Sequence, residues 1–326
     1  MGRAHSKSTQ VQAMPRDRYN QKFTQIQALP RDCYKQKCLI SSPCSSNTTI
    51  TYVGDTKMYG KNEVQRNDEC DRLHMVHFSM RDLWKTNFSS PIEDLLTNKR
   101  AKVLDVGCGG GTWILDTSLK YPKSEFFGID ILPLFPQCIK PSNVTFSQCN
   151  ILKRLPYDDN VFDYIHMRFM GSSLTFSAWE FVIKELVRVL KSGGYIEICE
   201  VDHIWMNEGP RAGKLRAKVI RELIRRYNIC IMASSLARRI LRGNDQLTDF
   251  HQEKRMVPMG SWGGKLGEVF LENAKWGVKN LKNAVDSLGV GDVRYDAMVD
   301  SAINEIEFKK NVFDTVHRFW AKKIGK

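Results

Sequence analysis

Gly107, Gly109 and Gly111 stand at alternate positions in Val103-Leu-Asp-Val-Gly107-Cys-Gly109-Gly-Gly111-Thr-Trp113, directly behind a short apolar run. A strand that runs into such a turn and then into a helix brings bare backbone up to a ligand. A Cβ at these positions would hold the ligand off, and the start of the helix favours a carboxylate or another anion. Asp130 closes the next apolar run, Glu125-Phe-Phe-Gly-Ile-Asp130. A carboxylate there can accept hydrogen bonds from both ribose hydroxyls of a nucleoside. Asp105, Cys108 and Ile131 belong to the same candidate nucleoside set. Thr112 stands where the dinucleotide pattern GxGxxG needs its third glycine, which argues against a dinucleotide.

A second group of reactive side chains follows the fourth and fifth apolar runs, where open parallel sheets bind their ligands. His166 could take a proton from a hydroxyl or only hydrogen-bond within its loop. Arg168 could hold an acidic substrate or pair with Glu200 or another carboxylate. Glu200 could touch a ligand or cap a neighbouring helix. Asp202 and His203 complete the group.

The elements that must position these groups alternate. Short apolar strands are expected at Lys102–Val106, Glu125–Asp130, 144–147, 162–166 and 195–200, with helices at 113–121 and 178–190 between them. This alternation is the pattern of a doubly wound α/β fold, a parallel sheet covered on both faces. Upstream, 71–84 carries Leu73, Val76, Met80 and Leu83 at helical spacing, and Ser90-Pro91 reads as the N-cap and first turn of another helix. Downstream, 211–227 places Leu215, Val219, Ile220, Leu223 and Ile224 on one face and basic residues on the other. With 229–241 it is expected to roof the pocket, as lid helices over about 205–243. Residues 252–258 and 317–322 read as two closing strands in an antiparallel hairpin.

Asp105-x-Gly107-x-Gly109-x-Gly111 resembles the first motif of the class I S-adenosylmethionine-dependent methyltransferases. Phe127-Gly-Ile-Asp130 resembles their acidic second motif, and Cys149-Asn150-Ile151 with Leu155-Pro-Tyr157 their adenine-flanking segment. The resemblance implies S-adenosyl-L-methionine as cofactor, a seven-stranded Rossmann-like sheet whose last strand is antiparallel, and adenine contacts from Asn150 and Ile151. Asn150 replaces the commoner Asp, but its amide oxygen can still accept. A narrower likeness covers the chain from about residue 59 onward. Glu69-x-x-Arg72-Leu73 with His77, Ile165-His166-Met-Arg168-Phe-Met-Gly171-Ser, Gly193-Gly-Tyr-Ile-Glu197 and Val257-Pro-Met-Gly260-Ser-Trp262 resemble a fungal methyltransferase-like family. That family is related to the velvet-associated regulator of secondary metabolism. It implies a methyltransferase fold with extra helices over the site. The methyl acceptor is unidentified and expected to be a small molecule, and the alternative is a regulatory or scaffold protein that keeps the fold without turnover. No Asn/Asp-Pro-Pro-Tyr/Phe segment follows the fourth strand, which counts against a base in DNA.

The chain of 326 residues divides at about residue 58. Residues 1–58 are polar and basic, and Thr9–Phe23 is repeated in Thr24–Cys38, two proline-broken copies too short to stack into a core. A disordered tail is expected there, and 59–326 as the folded domain. The net charge of +13 is spread over tail, lid and C-terminus, so it marks no concentrated nucleic-acid face, and a protein partner stays open. Nine scattered cysteines without a CxxC pair give no zinc framework and fit a reducing compartment. Neither a secretory leader nor a membrane span is expected, so the location is read as cytoplasmic or nuclear. The start Met1-Gly2-Arg-Ala-His-Ser6 matches the myristoylation pattern, but acylation is not expected.

Overall fold

The computed structural model describes residues 63–202, 204–230, 232–282 and 291–325. The N-terminal repeat, the acylation pattern, the boundary near residue 58 and His203 lie outside the described residues.

The first elements are α1 (Glu63–Trp84), α2 (Glu93–Asn98), β1 (Lys102–Val106), α3 (Thr112–Lys120), β2 (Glu125–Asp130) and β3 (Val144–Gln148). Next come β4 (Phe162–Arg168), α4 (Phe176–Val189), β5 (Leu190–Val201), α5 (Pro210–Tyr227) and α6 (Ala233–Gly243). The chain closes with β6 (Leu247–Pro258), α7 (Gly264–Asn280), α8 (Asp292–Lys309) and β7 (Phe313–Lys323). The strands form one seven-stranded sheet in the order β3-β2-β1-β4-β5-β7-β6. β1 to β5 pair in parallel, and β7 runs antiparallel to both β5 and β6. The expected alternation and the antiparallel last strand are therefore as read. The closing pair is not a simple hairpin, because α7 and α8 lie between its strands in sequence.

Register explains why the sheet is apolar on one side and reactive on the other. Strand side chains alternate, so paired residues share a face. Ile129, Val106, Met167, Ile198 and Phe319 form one row across five strands. That face is sealed by Val182, Ile183 and Leu186 of α4 and by Leu236, Ala237 and Leu241 of α6. One residue earlier, Gly128, Asp105, His166, Glu197 and Trp320 form the other row. Three ionisable groups are thus set side by side under α1 and α3.

Two local expectations yield to tertiary contacts. Ser90 does not cap α2, which starts behind Ile92 with no side-chain cap. Instead, its amide and hydroxyl each donate to Glu197 Oε2 at 2.8 Å. A fully buried carboxylate needs donors more than an exposed helix end needs a cap. Lys191-Ser-Gly-Gly194, which precedes the strand expected at 195–200, belongs to β5 beside a register shift opposite Phe162 and Tyr164. Gly194 lies so close to β4 that a Cβ would stand 2.7 Å from Asp163 O.

Candidate functional site

A cavity of about 370 Å³ opens beyond the C-terminal ends of β1, β2, β4 and β5. Its size is that of a small-molecule site. Asp105, Gly107, Cys108, Gly109, Asp130, Ile131 and Ile151 line it, as do His166, Arg168 and Glu200. Two of the expected residues do not. Asn150 turns its Oδ1 to the Leu152 amide at 2.8 Å and so closes its own turn. Gly111 serves packing: at φ +76° its missing side chain leaves room for the Phe146 ring, 2.6 Å from where a Cβ would be. Gly107, at φ +68°, is kept bare by Met170, whose sulfur would collide with a Cβ.

The glycine turn is tied to the end of β2 through Asp130. Gly109 N donates to Asp130 Oδ2 at 2.8 Å and Leu132 N to Oδ1 at 2.9 Å. Each carboxylate oxygen thereby keeps a free lone pair for a ligand hydroxyl. Burial pushes the Asp130 pKa upward against the pull of these amides. Thr112 opens α3 behind Gly111, which provides no side-chain cap. The Thr112 Oγ1 is buried against the cavity and has no hydrogen-bond partner among the described residues. An orphaned hydroxyl beside bare helix amides is a ready position for an anionic ligand group.

Beside the turn, His166 Nδ1 lies 2.7 Å from Asp105 Oδ1, and the imidazole stacks on Trp113 with centroids 3.9 Å apart. Burial pushes Asp105 up to about 7 and His166 well below its ordinary value, so the imidazole is neutral. Arg168 does not pair with Glu200. Among the described residues its Nη2 reaches only His77 Nδ1, at 3.5 Å, and its guanidinium lies over the Phe169 ring. His77 is in turn held by Asp116 Oδ2 at 3.1 Å. Glu200 accepts from Met170 N at 2.6 Å and Gly171 N at 3.3 Å, fastening the loop after β4, and burial raises it to about 8. Asp202 leaves the site and accepts from Ser234 N at 3.1 Å at the start of α6. The helix-capping role considered for Glu200 belongs to Asp202.

Residues 103–194 match the family model described as a methyltransferase domain. This segment is a methyltransferase domain. Among curated relatives, methyltransferase str3 of Strobilurus tenacellus is 29% identical over 108 residues, 33% of this chain and 38% of that protein. The secondary metabolism regulator laeA of Coprinopsis cinerea is 25% identical over 142 residues, 42% of this chain and 35% of that one. The matched segment thus spans little more than a third of either relative. Superposition on phosphoethanolamine N-methyltransferase 2 of Haemonchus contortus gives a TM-score of 0.42 at 17% identity, over 79% of this chain and 60% of that one.

The roof over the methyltransferase domain differs from the expected one. From α5, Leu215, Val219, Ile220 and Leu223 line the cavity as read, but Ile224 is exposed. α6 contributes nothing to the lining, because its apolar face is spent on the sheet. Its place is taken by Phe270, Ala274 and Leu281, in and just beyond α7, and by Leu73 and Val76 of α1. Sequence reading missed α7, whose helical pattern was legible only as one more amphipathic segment. Trp113 and Met170 were also missed as site residues. The register pairing of Asp105 with His166 could have located Trp113, since α3 must cross that row.

Proposed function

We infer that this chain transfers a methyl group from S-adenosylmethionine to a small-molecule acceptor. The observation that carries this reading is Asp130, fixed by the Gly109 and Leu132 amides with lone pairs left for two ribose hydroxyls. The Thr112 hydroxyl and the first turn of α3 suit the carboxylate of the cofactor's amino-acid arm. Ile131 and Ile151 provide apolar contact at the base end. When bound, the cofactor supplies an electrophilic methyl group on a sulfonium.

What remains for the protein is alignment, exclusion of water and, for a protonated acceptor, removal of a proton. The apolar faces of α1, α5 and α7 exclude water. His166 is the candidate base: Asp105 holds its Nδ1, so the Nε2 lone pair is left for a hydroxyl proton, and the carboxylate can balance the charge that develops. Glu200 holds the Phe169–Ser173 loop in place through Met170 and Gly171. The backbone of Phe169, at φ +58°, is strained for a bulky residue, and its ring packs on Arg168 at the cavity wall.

The test is transfer of label from methyl-tritiated S-adenosylmethionine to an organic-solvent extract of fungal metabolites. Label in a small, extractable product that Asp130→Ala abolishes supports the reading. Cofactor binding with no label in any extract or protein fraction favours the regulatory or scaffold alternative.

A further inference from the structure

Arginines on a cavity wall are expected to be matched by carboxylates, because a buried unpaired charge is costly. Among the described residues, three arginines line this cavity. Arg72 is held by Glu69, with Nε 2.7 Å from Oε2 and Nη2 2.6 Å from Oε1, and it also stacks on Trp276. Arg216 is held by Glu208, with Nε 2.8 Å from Oε2. Arg168 has no such partner. No carboxylate among the described residues forms an ion pair with it, and its one hydrogen bond is the long contact to His77 Nδ1. A guanidinium carries five N–H donors in a fixed fork that suits a carboxylate. The position is also built rather than incidental. β4 carries Arg168 on the same face as His166, and Asp116, itself held by Asn87 and Arg81, fixes His77 behind it.

The cofactor does not need this arginine. Its carboxylate has Thr112 and the α3 amides, and its ribose has Asp130. Away from the glycine turn and Asp130, the lining includes the apolar side chains of Val219, Leu223, Phe270 and Ala274. We propose that Arg168 is the anchor for an acidic group on the acceptor, and that the acceptor is an apolar small molecule carrying one carboxylate. This inference rests on the methyl-transfer reading, since it assigns the rest of the cavity to the cofactor.

The experiment uses the full chain saturated with S-adenosylhomocysteine and two probes of equal length, decanoate and decanol, followed by calorimetry. Decanoate is expected to bind roughly tenfold tighter than decanol, the size of a charge-assisted contact. Arg168→Gln should remove that difference while keeping the affinity for S-adenosylhomocysteine, which also shows that the variant folds. Arg168→Lys, which retains the charge but not the fork, should keep part of it. Equal binding of the two probes by the unaltered chain overturns the proposal, as does binding of neither while S-adenosylhomocysteine is bound. A loss of S-adenosylhomocysteine affinity in Arg168→Gln, with 5′-methylthioadenosine binding unchanged, also overturns it. That result would assign the arginine to the cofactor carboxylate. Failure of the unaltered chain to bind S-adenosylhomocysteine would instead strike the parent reading.

Discussion

Asp105 Oδ1 meets His166 Nδ1 at 2.7 Å because the two residues are register partners on adjacent parallel strands. Their side chains rise from the same face at the same level, and Trp113 closes over the imidazole. The pair is therefore preorganised by the sheet, not by a loop. If His166 takes the acceptor proton, His166→Gln should lower kcat by roughly 10² to 10⁴-fold, the usual scale of general-base catalysis. The affinity for S-adenosylmethionine should be unchanged. Steady-state rates on the first identified acceptor, with cofactor titration alongside, check both parts.

Glu197 is fully buried and accepts from the Ser89 amide at 2.9 Å, the Ser90 amide at 2.8 Å and the Ser90 hydroxyl at 2.8 Å. Arg318 stands 3.7 Å away and donates to Thr86 O and Ser89 Oγ. Glu197→Ala strips the compensation from a buried guanidinium and should cost about 3–5 kcal/mol of stability. The double variant with Arg318→Met should lose less than the sum of the two single changes. Urea unfolding of the four proteins measures this coupling.

Glu200 gives a pH signature. Its carboxyl is raised by burial to about 8 in the folded chain, against about 4.3 when unfolded. The unfolded chain therefore releases this proton first, and the stability linked to Glu200 is complete at low pH and is lost as pH rises from about 4.3 to 8. Glu200→Gln keeps an oxygen for the Met170 amide and should make unfolding less sensitive to pH over that window. Comparison of urea midpoints at pH 5 and pH 8 tests the sign. A variant as pH-sensitive as the parent would contradict it.

The glycines separate two causes of strain. A Cβ on Gly128 would stand 2.6 Å from Phe146, as would one on Gly111, but only Gly111 has a positive φ, +76°. Phe146→Leu should therefore recover most of the stability lost in Gly128→Ala. In Gly111→Ala a residual cost of about 1 kcal/mol should persist, from the left-handed backbone. Thermal unfolding of Gly128→Ala and Gly111→Ala, each alone and combined with Phe146→Leu, distinguishes the two.

The lid assignment separates α6 from α7. Leu236→Ala in α6 opens a hole under the sheet and should cost about 2–5 kcal/mol of stability without changing acceptor affinity. Phe270→Ala in α7 should weaken acceptor binding and leave the cofactor affinity alone. Unfolding midpoints and acceptor KM for the two variants settle which helix roofs the site.

The parallel core was legible because β1, β2, β4 and β5 are short apolar runs set between glycine turns and amphipathic helices, a pattern that local sequence alone imposes. The placement of Asp130, Gly107 and Gly109 on the cavity wall was legible for the same reason, since it follows from the strand ends and the turn they sit in. The errors share a different cause. Ser90, Asp202 and α6 each satisfy a local rule, but the partner that decides their role is distant in sequence: Glu197 for Ser90, Ser234 for Asp202 and the sheet for α6. Asn150, which the cavity lining does not include, accepts instead from a neighbour, the Leu152 amide. Arg168 was left between two roles because pairing is a property of space, and only the structure shows that Glu200 turns to the loop amides instead.

Calorimetric titration with S-adenosylmethionine tests the central claim most directly, comparing the unaltered chain with Asp130→Ala and using NAD as the contrast ligand. The account predicts micromolar-range binding, roughly −8 kcal/mol, to the unaltered chain. It predicts no measurable binding to Asp130→Ala and none of NAD to either protein. Failure of the unaltered chain to bind S-adenosylmethionine, or undiminished binding by Asp130→Ala, would contradict it.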